Sequence, residues 1–549
     1  MKKSKLLLLG LVPLLSSCSC SLLSTAPFKW DKYKNDSVAM SLQSSKFKKY
    51  KLEDFSSLEQ KKENLKEIIV NKGTYRDFAS AYTEINGLYI KVINCYIIAN
   101  TKYYATNTST DQNNANFYYT TYINLNKFLM GLESDIYHSS DEIKKGYFGN
   151  LSDEKIEERI NGNQEAMLEA DYDKIFSDYQ DEGNQLYLKF TQDRNKESFL
   201  ETGFEYLLRY VNKANELIGQ ISFDNYLDYS YDYYYNRDYK YSDAMSFVNY
   251  VKTYFVPILK NKAKLTKPDN VDDDLYKVID SYNFCNKQAN MCDYFSSYAE
   301  TMGGEYLTCY NNAFKYGYYC FSDNPNSMGT AYEWNLNGVN DAVLFFSRRY
   351  QDVISVTHEF GHYYSCTQNN GVRRGDAYDL QETYSQGNEF TFCKYLLEQK
   401  KDDSNFVTYN YFVDDKIYRS VQSLINEAAI TEIEKFMYTT PDLTKDSLIE
   451  GINDILAGYD GTASETYYMA ACLTSPCYYV SYATSLMEAL QFAAMSSFDE
   501  AKEKYTTLVE GVGSKTMVQR WENAGLTSPF EETTFQTLAN LFTSVANKY

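Results

Sequence analysis

The sequence predicts a mainly α-helical fold that carries one small β-sheet. Apolar residues recur every three or four positions through long stretches such as 85–98 and 199–218, which is the spacing of one helix face. Only 8 prolines and 25 glycines occur in 549 residues, so few breaks separate the helices. Within 303–346 the pattern changes to short aromatic and aliphatic runs between turn-forming residues, which predicts a sheet of two to four strands.

Composition excludes several classes of protein. The chain has 74 Asp and Glu against 54 Lys and Arg, a formal net charge of −20, whereas a nucleic-acid-binding surface needs the opposite excess. Apolar and aromatic residues are too abundant for a disordered chain. We therefore expect a folded protein with a large core and no nucleic-acid partner.

The N-terminus has the features of an export signal. A basic start at 1–5 precedes an apolar run at 6–15, which is shorter than the roughly 20 residues that a membrane-spanning helix needs. The run ends in Leu-Ser-Ser-Cys, which resembles the bacterial lipobox, so we predict a signal peptide at 1–17 and lipidation of Cys18. An ordinary signal peptide, with Cys18 incidental, is the alternative. The lipid would anchor the protein to the cell membrane, facing the extracellular side.

The rest of the chain is expected to form two helical domains beyond a linker. Residues 18–50 are rich in Ser, Lys and Asn, which predicts a flexible spacer. An N-terminal helical domain is predicted at 51–222 and a larger domain at 223–549. The larger domain opens on the tyrosine-rich stretch 225–241, where the spacing of the tyrosines predicts a helix with buried rings.

A metal-binding motif lies in the larger domain. The run His-Glu-Phe-Gly-His places His358 and His362 one helical turn apart on one face, where both can bind the same cation. The chain has only 3 histidines, so this spacing, with Glu359 after the first, is rare by chance. The alternative is a helix whose histidines only form hydrogen bonds in the core. We predict that the two histidines bind zinc and that Glu359 activates a water for attack.

A catalytic zinc site needs a third protein ligand. The remaining histidine, His138, lies in a polar stretch far upstream, so a carboxylate is expected. A second helix that returns antiparallel to the first would bring Glu382 to the metal. Spacing alone does not exclude Asp376, Asp379 or Glu398 as the ligand.

Two further roles follow from this predicted site. Glu389 lies two helical turns beyond Glu382 and could orient a ligand histidine through its second ring nitrogen. Glu359 would pass the proton of the water to the leaving amine, and the oxyanion formed in the attack needs additional donors. Tyr479 and Tyr482, one helical turn apart, are candidates, although in a chain with 56 tyrosines their position equally fits core or surface residues.

Three motifs together resemble the thimet oligopeptidase and oligoendopeptidase F family of zinc metallopeptidases. They are HEFGH at 358–362, ETYSQGNE at 382–389 and PCYYVSYATS at 476–485, and the likeness covers most of the chain from about Asn225 onward. The resemblance implies a prolate, mainly helical two-domain fold with a deep central channel and a small β-sheet beside the active site.

The resemblance also implies the metal and its ligands. One Zn²⁺ per chain is expected, held by His358, His362 and Glu382. Tyr479 and Tyr482 are then expected to contact the substrate carbonyl.

A substrate class follows from the same resemblance. The segment Ala331, Tyr332 and Glu333 is expected to form a strand that binds the peptide backbone by β-addition. A deep channel admits short oligopeptides and excludes folded proteins. The implied activity is therefore that of a zinc endopeptidase acting on short peptides.

One departure from the family pattern motivates an alternative. The family usually has a histidine five to seven residues before the tyrosine segment, but this chain has Ala-Ala-Cys-Leu at 470–473. Loss of one oxyanion donor costs about 3 kcal/mol of barrier. The alternative is therefore a membrane-anchored lipoprotein that keeps the metal site and binds peptides with little or no turnover. A third hypothesis is an unrelated zinc peptidase whose third ligand is not Glu382.

Overall fold

The computed structural model describes residues 53–219, 223, 225–262, 264–280, 289–315, 317–327, 329–336, 342–368, 377–511 and 516–549. The predicted signal peptide, the lipidated Cys18 and the predicted spacer at 18–50 lie outside the described residues. Among the described residues, none of the helices is long and apolar enough to cross a membrane.

Helices dominate the described chain. In the first half they are α1 (Leu58–Val70), α2 (Tyr75–Thr106), α3 (Ser109–Tyr137), α4 (Asp141–Phe148), α5 (Asp153–Asp193), α6 (Lys196–Ile218), α7 (Tyr226–Tyr229), α8 (Tyr241–Tyr254), α9 (Val256–Asn261) and α10 (Asp273–Ile279). Next come α11 (Ala289–Met302), α12 (Gly304–Lys315), β1 (Tyr318–Phe321), β2 (Ala331–Asn335) and β3 (Ala342–Phe346). The remaining helices are α13 (Val353–Gln368), α14 (Tyr378–Gln399), α15 (Phe406–Thr439), α16 (Lys445–Ala457), α17 (Glu465–Thr474), α18 (Tyr479–Ala494), α19 (Phe498–Glu510), α20 (Met517–Asn523) and α21 (Glu532–Lys548).

The chain divides into two compact units, each assembled from two separate stretches of sequence. The first unit comprises the described residues of 1–171 and 280–373, and the second those of 172–279 and 374–549. The mainly helical fold with a small sheet, predicted from the sequence, is confirmed. The predicted domain boundary between 222 and 223 stays a prediction.

The first unit is organised by the packing of α2 against α3. Asn107 ends α2 in the left-handed region, with φ of 50°, which asparagine tolerates better than most residues. Thr108 then caps α3, because its hydroxyl accepts a hydrogen bond from the amide of Asp111 at 3.3 Å. The apolar faces predicted by the helical spacing are buried, and Ile85 and Leu125 have no exposed surface.

The sheet of the first unit has three strands in the order β1-β3-β2. The central strand, β3, pairs parallel with β1, Tyr318 opposite Val343, and antiparallel with β2, Ala331 opposite Phe346. All five residues of β3 are buried, as expected for a strand covered on both faces. Within this sheet β2 is an edge strand, and one of its sides has no partner strand in the sheet.

The second unit is organised by the packing of α14 against α18, with α15 and α19 alongside. Gly387 on α14 allows close packing, because a Cβ there would lie 3.1 Å from the ring of Phe492 on α18. The tyrosine-rich stretch forms α7 followed by a π-helical turn, Ser230–Tyr234. The predicted burial of its rings is confirmed for Tyr226 and Tyr229.

Candidate metal centre

Helix α13 presents the two histidines of the motif on neighbouring turns. Asp352 precedes the helix, and its carboxylate accepts hydrogen bonds from the amide and the hydroxyl of Ser355, each at 2.9 Å. The ring centroids of His358 and His362 are 5.1 Å apart, as the predicted spacing requires. Glu359 is 7% exposed and His362 is 9% exposed. The motif therefore forms a helix face that is largely buried but still slightly exposed to solvent.

Packing within the first unit fixes the orientation of α13. The helix contacts β2, β3, α11 and α12. The ring of Phe360, between the two histidines in sequence, lies 5.4 Å from that of Phe295 and 5.0 Å from that of Tyr306, both in edge-to-face geometry. Because Phe360 is buried in this aromatic cluster, the histidines project from a helix that cannot rotate without losing the contacts.

Helix α14 presents Glu382, whose two carboxylate oxygens both have a partner within the second unit. The hydroxyl of Tyr478 donates a hydrogen bond to Oε1 at 2.5 Å. The hydroxyl of Ser385, one turn along α14, lies 3.1 Å from Oε2. Glu382 is 6% exposed, so these contacts fix the orientation of a buried carboxylate.

The hydroxyl of Tyr478 keeps the proton that it donates to Glu382. Burial, followed by the charge of the nearby Glu382 and by Tyr482, raises the pKa of Tyr478 well above its usual value. The phenol therefore stays protonated across the physiological range, and its proton is available to the carboxylate. Hydrogen bonds of this kind to a ligand carboxylate orient the ligand.

His358, His362 and Glu382 form a group that can hold a metal ion. Each offers one ligand atom, and these three atoms all lie within 4.8 Å of one another. Two imidazole nitrogens and one carboxylate oxygen are a donor set that catalytic zinc sites use, with bonds of about 2.1 Å and a fourth position left open. The donor chemistry and the spacing of the ligand atoms therefore fit zinc.

The other carboxylates that spacing left open are less suitable ligands. Asp379 has no exposed surface and accepts hydrogen bonds from Tyr239, Thr484 and Arg237. Glu398 lies sixteen residues beyond Glu382 on the same helix, about 24 Å along its axis. Asp376 lies outside the described residues.

Comparison with known proteins identifies the fold. No protein-family model matches the sequence, and no curated protein matches it. Among solved structures, PZ peptidase A with inhibitor 2 matches with a TM-score of 0.62 and 15% identity, over 92% of this chain and 99% of that chain. Oligoendopeptidase-F from Enterococcus faecium matches with a TM-score of 0.52 and 15% identity, over 89% and 96%. The chain has the oligoendopeptidase F fold.

A third similar structure is a metallocarboxypeptidase by name. Trypanosoma cruzi metallocarboxypeptidase 1 matches with a TM-score of 0.51 and 13% identity, over 83% of this chain and 97% of that chain. The likeness to these structures therefore extends over most of the chain.

Glu389, two turns beyond Glu382 in this oligoendopeptidase F fold, has a cationic neighbour. The ammonium of Lys416 on α15 lies 2.5 Å from its carboxylate, and both side chains are largely buried. The same ammonium lies 5.3 Å from the ring centre of Phe390. The predicted role of Glu389 in orienting a ligand histidine stays a prediction.

Tyr479 and Tyr482 lie at the start of α18, next to Tyr478. The ring centroids of Tyr478 and Tyr482 are 5.0 Å apart, and those of Tyr479 and Tyr482 are 6.0 Å apart. All three residues are partly buried. The predicted roles of Tyr479 and Tyr482 as donors to the oxyanion stay predictions.

Sequence reasoning missed Tyr478, whose hydroxyl donates a hydrogen bond to Glu382. A signal was present, because Tyr478 and Tyr482 are four residues apart and so share one helix face, as do the two histidines. Spacing gave no reason to prefer this pair over Tyr479 and Tyr482. Only the packing of the tyrosine segment against α14 distinguishes the two pairs.

The predicted substrate strand lies at an edge of the sheet in this oligoendopeptidase F fold. Ala331, Tyr332 and Glu333 belong to β2. The hydroxyl of Tyr332 donates a hydrogen bond to that of Thr101 on α2 at 2.6 Å. This side chain is therefore already hydrogen-bonded within the first unit. Backbone groups of β2, rather than the Tyr332 side chain, are the groups that a peptide would use, and binding there stays a prediction.

The segment 470–473, where the family resemblance leads us to expect a histidine, is part of α17. Ala471, Cys472 and Leu473 are buried there. The chain's third histidine, His138, is exposed at the end of α3, where its Nδ1 lies 2.8 Å from the carbonyl oxygen of Ser134. It therefore lies on the surface, as its polar surroundings indicated.

Proposed function

We propose that this protein is a zinc-dependent metalloendopeptidase that hydrolyses peptide bonds in short oligopeptides. The observation that carries the proposal is the group formed by His358, His362 and Glu382, whose ligand atoms lie within 4.8 Å of one another. The oligoendopeptidase F fold supports it, because the similar solved structures are peptidases by name.

The chain's own residues have distinct roles in the proposed reaction. Zinc, when bound, supplies a Lewis acid and a water of lowered pKa. Glu359 follows the first ligand on α13 and is nearly enclosed, and we assign to its carboxylate the transfer of a proton from the attacking water to the leaving amine nitrogen. Tyr479 and Tyr482 are assigned as donors to the oxygen that gains charge in the attack.

Hydrolysis of a quenched fluorescent peptide library by the purified full-length chain tests the proposal. We expect cleavage that stops on adding a zinc chelator and returns on adding Zn²⁺. Glu359→Gln is expected to lower kcat by about a hundredfold to ten-thousandfold while zinc still binds, because only the proton-transfer group is lost. His138→Ala is the matched control for His358→Ala, and only the latter is expected to lose zinc and activity. Stoichiometric zinc without cleavage of any peptide would contradict the proposal.

The second candidate function is a peptide-binding lipoprotein with little or no turnover. It is favoured by the absence of a histidine at 470–473, where α17 carries small and apolar residues instead. Peptide binding with wild-type affinity in Glu359→Gln, together with no hydrolysis by the wild type, would support this candidate. Chelator-sensitive turnover in the wild type would exclude it.

We also propose that the protein is anchored to the extracellular side of the cell membrane through a lipid on Cys18. The sequence Leu-Ser-Ser-Cys after the apolar run supports this location. Cys18→Ser is expected to move the protein from the detergent phase to the aqueous phase in a phase-partition assay. An unchanged distribution would contradict the anchor and leave the peptidase proposal untouched.

A further inference from the structure

The tyrosine-rich stretch contains a buried arginine with no role in the function proposed above. Arg237 forms an ion pair with Asp379 on α14, with Nε 3.2 Å from Oδ2, and neither side chain is exposed. The phenol of Tyr239 donates to Oδ1 of the same carboxylate at 2.6 Å. The amide of Tyr378, the first residue of α14, also donates to the carbonyl of Tyr235 at 3.4 Å. Residues 235–239, here called the Arg237 segment, therefore hold the start of α14.

The Arg237 segment also holds the turn that precedes α18. Nη2 of Arg237 donates to the carbonyl oxygen of Cys477 and to the hydroxyl of Ser481, each at 2.8 Å. The phenol of Tyr235 donates to the carbonyl oxygen of Pro476 at 2.8 Å. Cys477 lies in the left-handed region, with φ of 59°, so this backbone conformation depends on such contacts.

A third group fixes the same turn from α15. The amide of Cys477 donates to Oε1 of Glu434 at 2.6 Å. Both polar backbone groups of Cys477 are thus bound by buried side chains, the amide by Glu434 and the carbonyl by Arg237. The turn is consequently held on two sides, and Tyr478 follows it directly.

Arg237 joins the two backbones that carry the Tyr478–Glu382 pair. Asp379 lies one helical turn before Glu382 on α14, and Cys477 is the residue before Tyr478. We propose that Arg237 is a positioning residue: by joining Asp379 to the Cys477 carbonyl, it sets the hydrogen bond from Tyr478 to Glu382 and so the orientation of the carboxylate toward the metal. This inference rests on the proposed function in that Glu382 is taken as a zinc ligand.

The chemistry of arginine suits this role. A guanidinium presents its N–H donors in a rigid planar fork, so it can bind a carboxylate and a carbonyl in fixed directions, whereas a lysine ammonium cannot. A fully buried ion pair is weak evidence of a stability role, because apolar pairs of similar volume often replace such pairs without loss. The rings of Tyr231 and Tyr235 lie 4.4 Å from the guanidinium carbon and keep the fork in place.

A double-mutant cycle on zinc affinity tests the proposal. Zn²⁺ dissociation constants are measured on the full-length chain by competition with a chromophoric chelator, for the wild type, Arg237→Lys, Tyr478→Phe and the double variant. Each single variant is expected to weaken zinc binding about tenfold, as loss of partners around metal ligands does. The double variant is expected to bind no more than about threefold more weakly than either single variant, because both changes break one connection.

Two results would overturn the proposal. One is a folded Arg237→Lys variant whose zinc affinity stays within twofold of the wild type. The other is a double variant whose loss is the product of the two single losses, because independent effects multiply. Failure of the wild type to bind zinc would instead refute the proposed function itself, so the two failures are distinguishable.

A milder pair of variants keeps the test decisive if Arg237→Lys does not fold. Tyr239→Phe removes one hydrogen bond to Asp379, and Tyr459→Phe removes a comparable bond, from a buried phenol to Glu432 at 3.0 Å, elsewhere in the second unit. We expect Tyr239→Phe to weaken zinc binding about threefold and Tyr459→Phe to leave it unchanged, at similar melting temperatures. Equal zinc affinity in the two variants would overturn the proposal.

Discussion

The hydroxyl of Tyr478 lies 2.5 Å from Oε1 of Glu382, and it links the tyrosine segment to the helix that presents the predicted third zinc ligand. The two residues are 96 positions apart in sequence. Because burial and the carboxylate keep the pKa of the phenol high, this contact is a hydrogen bond from a neutral donor to a buried carboxylate.

Tyr478→Phe and Tyr482→Phe are expected to have different effects. Tyr478→Phe should weaken zinc binding about tenfold, because Glu382 loses the donor that orients it. Tyr482→Phe should keep the zinc affinity and lower kcat by about a hundredfold or more, if its hydroxyl stabilises the oxyanion. Chelator competition and steady-state kinetics on both variants measure the difference. Equal zinc affinities would show that the Tyr478 contact does not tune the ligand.

Zinc removal is expected to lower the stability of the folded protein. A ligand present at a hundred times its dissociation constant stabilises the native state by about 2.7 kcal/mol, which corresponds to a rise of a few degrees in melting temperature. Calorimetry of the wild type with and without a chelator should show this shift. In His358→Ala the chelator should have no effect, whereas His138→Ala should behave as the wild type.

Replacing either of two helical glycines with alanine is expected to change the stability of the protein in opposite directions. A Cβ at Gly183 on α5 would lie 2.1 Å from the carbonyl oxygen of Leu473, whereas one at Gly87 on α2 would meet nothing within 4 Å. Gly183→Ala should destabilise the protein by about 2 to 3 kcal/mol through overpacking. Gly87→Ala should stabilise it by about 0.5 to 1 kcal/mol, because alanine is the better helix former. Thermal unfolding of both variants measures the difference, and a shared sign would contradict the packing of Gly183.

Glu427 on α15 is expected to make stability fall as the pH rises from about 4.5 to about 8. Burial raises its pKa from 4.5 to about 8, and its Oε2 has no hydrogen-bond partner among the described residues. Between these two values the unfolded chain releases the proton and the folded chain retains it, so the free energy of unfolding falls as pH rises. The loss should be on the order of a few kcal/mol at pH 8.

Glu427→Gln should remove this contribution. The free energy of unfolding of the variant, minus that of the wild type, should increase as the pH rises from 5 to 8. Denaturant unfolding at several pH values measures this difference. Glu398→Gln, a change at a partly buried carboxylate on α14, serves as the control and should keep the wild-type pH dependence. A difference between Glu427→Gln and the wild type that is independent of pH would contradict the assignment.

Much of the fold class and the metal motif could be predicted because both depend on local geometry. The spacing of apolar residues predicts helices directly, and an i, i+4 spacing places His358 and His362 on one face of any helix. Glu382 was a prediction of a different kind, because spacing also left Asp376, Asp379 and Glu398 open as ligands. In the structure the carboxylate of Asp379 is bound by Arg237. Glu398 lies too far along α14 from Glu382 to occupy the same place.

The sequence by itself determined the helical architecture, the small sheet and the histidine pair, because each follows from the period of the backbone over a few residues. Only the tertiary structure decided that Tyr478 donates a hydrogen bond to Glu382, and that Arg237 pairs with Asp379, 142 residues away. Such contacts depend on how α14, α18 and the Arg237 segment pack together. Packing is a sum of many weak contacts between distant residues, and no local spacing encodes it.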